Sequence, residues 1–217
     1  MLSREVIRLL QQEYGLREWQ PGRDPVDTLV GTILSQNTSN LNSGRAFDSL
    51  KAVFDSWEAV ASAPVEYIAQ AIKSGGLFQI KASRIKRILE QIEKEQGSIN
   101  LDFLNSMSIS EAQEYLTGLP GVGHKTASCV LLFSLGKPSL PVDTHIFRVA
   151  KRLGLIPLKA TVEKAHILLQ EQIPPSKVYQ FHIHMIEHGR LVCHARHPHC
   201  DRCILRLSCP NSTYRCN

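Results

Sequence analysis

Four cysteines, Cys193, Cys200, Cys203 and Cys209, form a C-x6-C-x2-C-x5-C run. Four thiolates that close in sequence can surround one metal centre, either a structural zinc ion or an iron–sulfur cluster. Upstream lies a second chemical feature, Leu119-Pro120-Gly121-Val122-Gly123, a glycine-rich turn between two helical stretches. Glycines allow a tight turn there, and the amides of Gly121, Val122 and Gly123, together with the start of the next helix, can face a phosphate. A contact of that kind holds a backbone without reading bases. A plain helix-turn-helix connector is the alternative for this fragment taken alone.

Lys125 stands where that next helix begins, and the positive end of the helix disfavours its ammonium form. A neutral lysine amine is a nucleophile suited to attack at a sugar carbon, forming a Schiff base; the alternative role is a phosphate-contacting lysine. Asp143, in Pro141-Val142-Asp143-Thr144-His145, precedes an amphipathic segment and so reads first as an N-cap. Facing a cleft, its carboxylate could also stabilise positive charge on a deoxyribose ring as a base departs, or help deprotonate Lys125.

The elements that must position these groups are helical almost throughout, with no segment patterned as a strand. Asp24-Pro25 opens a core helix with apolar residues at Val26, Leu29, Val30, Ile33 and Leu34. Further helices are expected at about 42–54, 64–73, 81–95 and 111–116, the last opened by a Ser108-x-x-Glu111 capping box. After the glycine turn come segments at 125–135, 144–153, 161–171 and 177–191, the last leading into the cysteine run. Pro138 and Pro141 interrupt the pattern and mark a domain boundary.

The 217 residues carry 25 Lys and Arg against 20 Asp and Glu, a net charge of +5, with 43% apolar residues. This is ordinary globular composition with a mild lean towards polyanions. No apolar run approaches the roughly 18 residues of a membrane span, and no signal peptide is expected. A soluble, cytoplasmic protein is expected, nucleoid-associated in a prokaryote, so the clustered cysteines read as reduced ligands rather than disulfides. Cys129 is expected to be a buried, inert thiol, and Cys216 to fray at the end of the chain.

Three ordered motifs then resemble the endonuclease III family of helix-hairpin-helix DNA glycosylases: Leu119 to Ala127, Val142-Asp143-Thr144-His145-Ile146-Phe147-Arg148-Val149, and His188-Gly189-Arg190-x-x-Cys193 with its cysteine spacing. The resemblance spans about residues 24–209. It implies an all-α fold of two helical domains flanking a DNA-binding cleft: a six-helix barrel with the helix-hairpin-helix at 22–136, and an iron–sulfur domain built from 1–21 and 137–217. By the same resemblance Lys125 is the Schiff-base nucleophile, Asp143 the activating carboxylate, and the four cysteines the ligands of a [4Fe-4S] cluster. The implied activity is that of a bifunctional glycosylase and abasic-site lyase of base excision repair, taking oxidised pyrimidines from double-stranded DNA and working as a monomer.

Such an enzyme must extrude a nucleotide and fill the gap. Leu77, in Gly75-Gly76-Leu77-Phe78, resembles the family's wedge, with core packing as the alternative. Gln36 or Asn37 stands where relatives carry a void-filling glutamine, and Arg196, in the loop between the first two cysteines, is expected to meet the DNA backbone. The chain departs from the family pattern in this region: Ser35-Gln36-Asn37-Thr38-Ser39-Asn40 replaces Ser-Ala-Gln-Ala-Thr-Asp, and His124 replaces an arginine. A mismatch glycosylase acting on uracil or thymine and a non-catalytic iron–sulfur DNA-binding module are the competing readings. An adenine-mismatch enzyme would want a glutamate where Gly31-Thr32-Ile33-Leu34 offers none.

Overall fold

The computed structural model describes residues 2–213, and among these it is helical with no strand. Its contacts divide the chain into two compact units, Pro21–Lys137 and a second assembled from the described residues on either side of it. Cys216 lies outside the described residues.

The Pro21–Lys137 unit opens with α2 (Pro25–Ser35), following α1 (Ser3–Tyr14) of the other unit. Asp24 caps α2 as its spacing predicts, accepting from Val26 N at 2.8 Å and Asp27 N at 3.0 Å, with Pro25 in the first turn. Then come α3 (Asn40–Val53), α4 (Trp57–Ser62), α5 (Val65–Ala71), α6 (Phe78–Gln96), α7 (Ile109–Gly118) and α8 (His124–Cys129). The Ser108–Glu111 capping box forms in both directions at the start of α7. Leu29, Ile33, Leu50, Ile68, Ile85, Leu89 and Leu116 are fully buried in one continuous core. Each such side chain contributes about 1.5–3 kcal/mol in burial. Cys129 is buried with them, as expected.

The helix expected at 125–135 is not uniform: after Cys129 the chain widens into a π-helical turn, Val130–Ser134. It is closed where Lys137 N donates to Leu131 O, while Lys137 Nζ reaches back to Met107 O at 2.6 Å. Two elements were not expected from periodicity, the short α4 and the amphipathic α1. Alpha-four is a single capped turn and a half, too short to establish a period.

The second unit comprises α1, α9 (Thr144–Leu153), α10 (Val162–Gln172) and α11 (Val178–Leu191), then the cysteine segment. Alpha-one turns Val6, Ile7 and Leu10 inward and is tied to distant sequence: Ser3 Oγ to Gln172 O, Gln180 Nε2 to Gln11 Oε1, and Tyr14 Oη to His188 Nδ1 at 3.0 Å. Phe181 and Met185 of α11 and Leu205 beyond it are fully buried. No helix among the described residues is long and apolar enough to cross a membrane.

Candidate active site and cysteine pocket

The hairpin forms where the spacing places it. Alpha-seven ends at Gly118, Gly121 adopts φ +71°, and α8 starts at His124 with Gly123 as its N-cap. Two expectations change in detail. Gly123 has an extended backbone (φ −95°), so only Gly121 in this turn needs the left-handed region. The Val122 amide is taken by Leu119 O at 3.1 Å and its side chain is buried, so Val122 stabilises the turn from within.

Lys125 is the second residue of α8 and is half-buried. Its ammonium makes no hydrogen bond or ion pair among the described residues. The helix start therefore presents an amine held by its backbone but not committed to a neighbour.

Around the same helix the fold assembles residues that sequence reasoning missed. Arg84, on α6, donates from Nη1 to Gln36 Oε1 at 2.7 Å, and Gln36 Nε2 reaches Thr126 Oγ1 at 3.5 Å. The Arg84 side chain also lies over the bare turn: a Cβ on Gly121 would stand 2.5 Å from its Nε. Lys81, one turn earlier on α6, is buried and donates to Leu34 O at 2.7 Å and Gly75 O at 2.8 Å. It thus fastens the end of α2 to the loop that precedes Leu77. Burial first, and then the Arg84 charge, pull the Lys81 pKa below its usual 10.5. The available signal was periodicity, since Lys81 continues the apolar stripe of Ile85, Ile88 and Ile92, where a cation should not stand without partners.

The two residues weighed for the gap differ in their surroundings. Gln36 has both ends of its amide engaged, whereas Asn37 is exposed and left-handed at φ +53°. Leu77 is also left-handed (φ +49°) and 53% exposed, which is not the environment of a core leucine. A strained, solvent-facing leucine costs folding energy and suggests a use elsewhere.

In the other unit, Asp143 caps α9, its Oδ1 accepting from Ile146 N at 2.8 Å, which leaves Oδ2 without a hydrogen bond among the described residues. Cys193, Cys200, Cys203 and Cys209 line one pocket together with Val149, Leu153 and Val192. All four are free thiols, and no three His, Cys, Asp or Glu side chains among the described residues stand close enough for a single ion. Burial pushes the Cys203 thiol up to about 11, and charge on Cys193, Cys209 and Cys200 acts in the same direction. Four thiolates in such a pocket repel one another and need a cationic group among them, so the donor set fits a thiolate-bound cofactor. Arg152 shapes the first cysteine loop, donating to Cys193 Sγ at 3.3 Å, His194 O at 2.6 Å and Ala195 O at 2.9 Å. That loop leaves Arg196 exposed.

Comparison with known proteins matches the model of HhH-GPD superfamily base excision DNA repair proteins to residues 30–175. Endonuclease III of Thermotoga maritima is 31% identical over 208 residues, covering 96% of this chain and 90% of that protein. A protein of Arabidopsis thaliana named as a candidate DNA glycosylase is 40% identical over 187 residues, 86% of this chain; the match spans 61% of its own length. A solved structure of a trapped endonuclease III–DNA covalent intermediate superposes with a TM-score of 0.80 at 28% identity, covering 98% of each chain. The chain belongs to the endonuclease III family within the HhH-GPD superfamily.

Proposed function

We propose that this protein is a bifunctional DNA glycosylase and abasic-site lyase that removes damaged bases, oxidised pyrimidines in the first instance, from duplex DNA. The observation that carries the reading is the uncommitted Lys125 amine on the first turn of α8, directly behind the Gly121 turn. The amides of Gly121 and Gly123 at the turn hold a phosphate, fixing the strand whatever its sequence. The base is extruded, Leu77 enters the stack as a wedge, and Asn37, the exposed member of the pair, fills the vacancy opposite.

Lys125 Nζ, as the neutral amine, attacks C1′ as the glycosidic bond breaks and the base leaves with its electron pair and takes up a proton. One proton passes from nitrogen to O4′ as the C1′–O4′ bond opens, which leaves a protonated imine and a 4′-hydroxyl. Removal of a C2′ proton then expels the 3′ phosphate by β-elimination, and water releases the sugar fragment and restores the amine. For Asp143 we propose the carboxylate's part in the first step, its free Oδ2 opposing the positive charge that develops on the sugar. Its cap to Ile146 N holds the carboxylate in place.

Cys193, Cys200, Cys203 and Cys209, which line one pocket, would hold the [4Fe-4S] cluster that the family resemblance implies. When bound it supplies a rigid, charge-neutralising crosslink that orders the Arg196 loop for a backbone phosphate. Glycosidic cleavage asks no electron of it.

Borohydride trapping on a duplex with one abasic site tests the reading. The wild type should give a covalent adduct that Lys125→Ala loses while still binding the duplex. Wild type that is folded and DNA-bound but leaves no adduct would sink the lyase assignment. Release of thymine glycol, with uracil opposite guanine as the comparison, then reports the lesion class.

A further inference from the structure

We propose that Arg84 is a positioning residue that sets the opposing-base preference, acting through Gln36. The inference rests on the repair function proposed above. Its starting point is that Gln36 and Asn37 are neighbours of similar chemistry, and only one of them can face the strand opposite an extruded base. The structure separates them. Arg84 Nη1 holds Gln36 Oε1 at 2.7 Å, and Thr126 Oγ1 accepts from the other end of the same amide. With Gln36 fixed at both ends, the chain leaves it in an extended conformation and enters the left-handed region at Asn37, whose side chain is exposed.

Arg84 is itself fixed by the turn it crosses. Its Nε, Cζ and Cδ lie within 2.9 Å of the place a Cβ on Gly121 would occupy, so the missing side chain of Gly121 makes room for the guanidinium. One residue on α6 therefore touches both the phosphate-holding turn and the gap-filling segment. Removing its donor frees the Gln36 amide, which has acceptor and donor groups of its own and competes with Asn37 for the orphaned base. Preference among opposing bases should relax, while the α8 amine is left as it was.

The test uses the full chain and duplexes carrying one tetrahydrofuran abasic site opposite each of the four bases. Dissociation constants are measured for wild type, Arg84→Met, Arg84→Lys, Gln36→Ala and the Arg84→Met/Gln36→Ala double variant, with thermal melting as the folding control. Arg84→Met keeps an unbranched stem over Gly121 and removes only the donors. It should change the ratio between best and worst opposing base by about tenfold, the worth of one charge-assisted hydrogen bond. Arg84→Lys, which retains a cationic donor, should recover part of that change. In the Gln36→Ala background Arg84→Met should alter the ratio by less than about twofold, because the two act as one unit.

An unchanged ratio in folded Arg84→Met, an equal change with or without Gln36, or a wild type indifferent to the opposing base would each overturn the inference. A wild type that prefers no abasic duplex over an undamaged one would overturn the repair reading, and this inference with it. A general packing role would lower the melting temperature of Arg84→Met and weaken binding to all four duplexes equally, which is a different result from a changed ratio.

Discussion

Replacing Lys81 by methionine removes a buried cation and keeps nearly the same volume. The wild-type amine holds Leu34 O at 2.7 Å and Gly75 O at 2.8 Å, and the side chain is 2% exposed. Each such bond contributes about 1.5–3 kcal/mol, and each buried carbonyl left without a donor costs about 1–3 kcal/mol. The desolvation cost of the ammonium, which disappears in the variant, offsets part of this. The net loss should be about 3 kcal/mol, a fall of about 6–12 °C in Tm for a chain of this length.

The pH dependence carries the sharper signature. Folding pulls the Lys81 pKa below 10.5, so in the interval beneath that value the unfolded chain binds more protons than the folded one. Wild-type stability relative to Lys81→Met therefore rises as pH climbs towards 10.5 and stops rising above it. The neutral amine keeps two N–H groups, enough for both carbonyls. Urea melts of both proteins across pH 7 to about 11 read this directly. A loss below about 0.5 kcal/mol, the level of an ordinary surface substitution, or a difference independent of pH, would refute the account of Lys81 as a buried strut.

Asp143→Asn should keep the cap on Ile146 N and hence the melting temperature, yet lose about 100-fold or more in base excision, measured by product release from a lesion duplex. Asp24→Ala should do the reverse, costing about 1 kcal/mol in urea melts through its two lost amide bonds, with borohydride trapping unchanged. Gly121→Ala forces an alanine to φ +71° at about 1–2 kcal/mol and displaces Arg84, so both the melt and abasic-duplex affinity should fall.

What could be read from sequence alone were features that announce themselves locally. The Asp24 and Ser108 caps, the Gly121 turn and the cysteine run each place their chemistry within a few residues, and the structure forms the caps and the turn. Alpha-one was missed because its stripe of Val6, Ile7 and Leu10 gains meaning only against helices far along the chain. Arg84 and Lys81 were missed for a related reason. On a helix dense in Lys, Arg and Glu a cation is ordinarily solvated; the place of Lys81 on the apolar stripe was the one local signal, and the folded backbone shows that Leu34, Gly75 and Gly121 come to meet these two. The choice between Gln36 and Asn37 needed one left-handed residue, which no pattern of polarity encodes.

The tethers of α1 also govern the order in which the protein can be made. Its hydrogen bonds reach across 169 residues to Gln172, 174 to His188 and 203 to Ser208. At about 5–20 residues per second of translation, helix α1 leaves the ribosome roughly 8–40 s before these partners exist. The contiguous Pro21–Lys137 unit can close during that wait. Throughout it Val6, Ile7 and Leu10 remain an unsheltered apolar stripe on the nascent chain, the kind of surface that holdase chaperones bind.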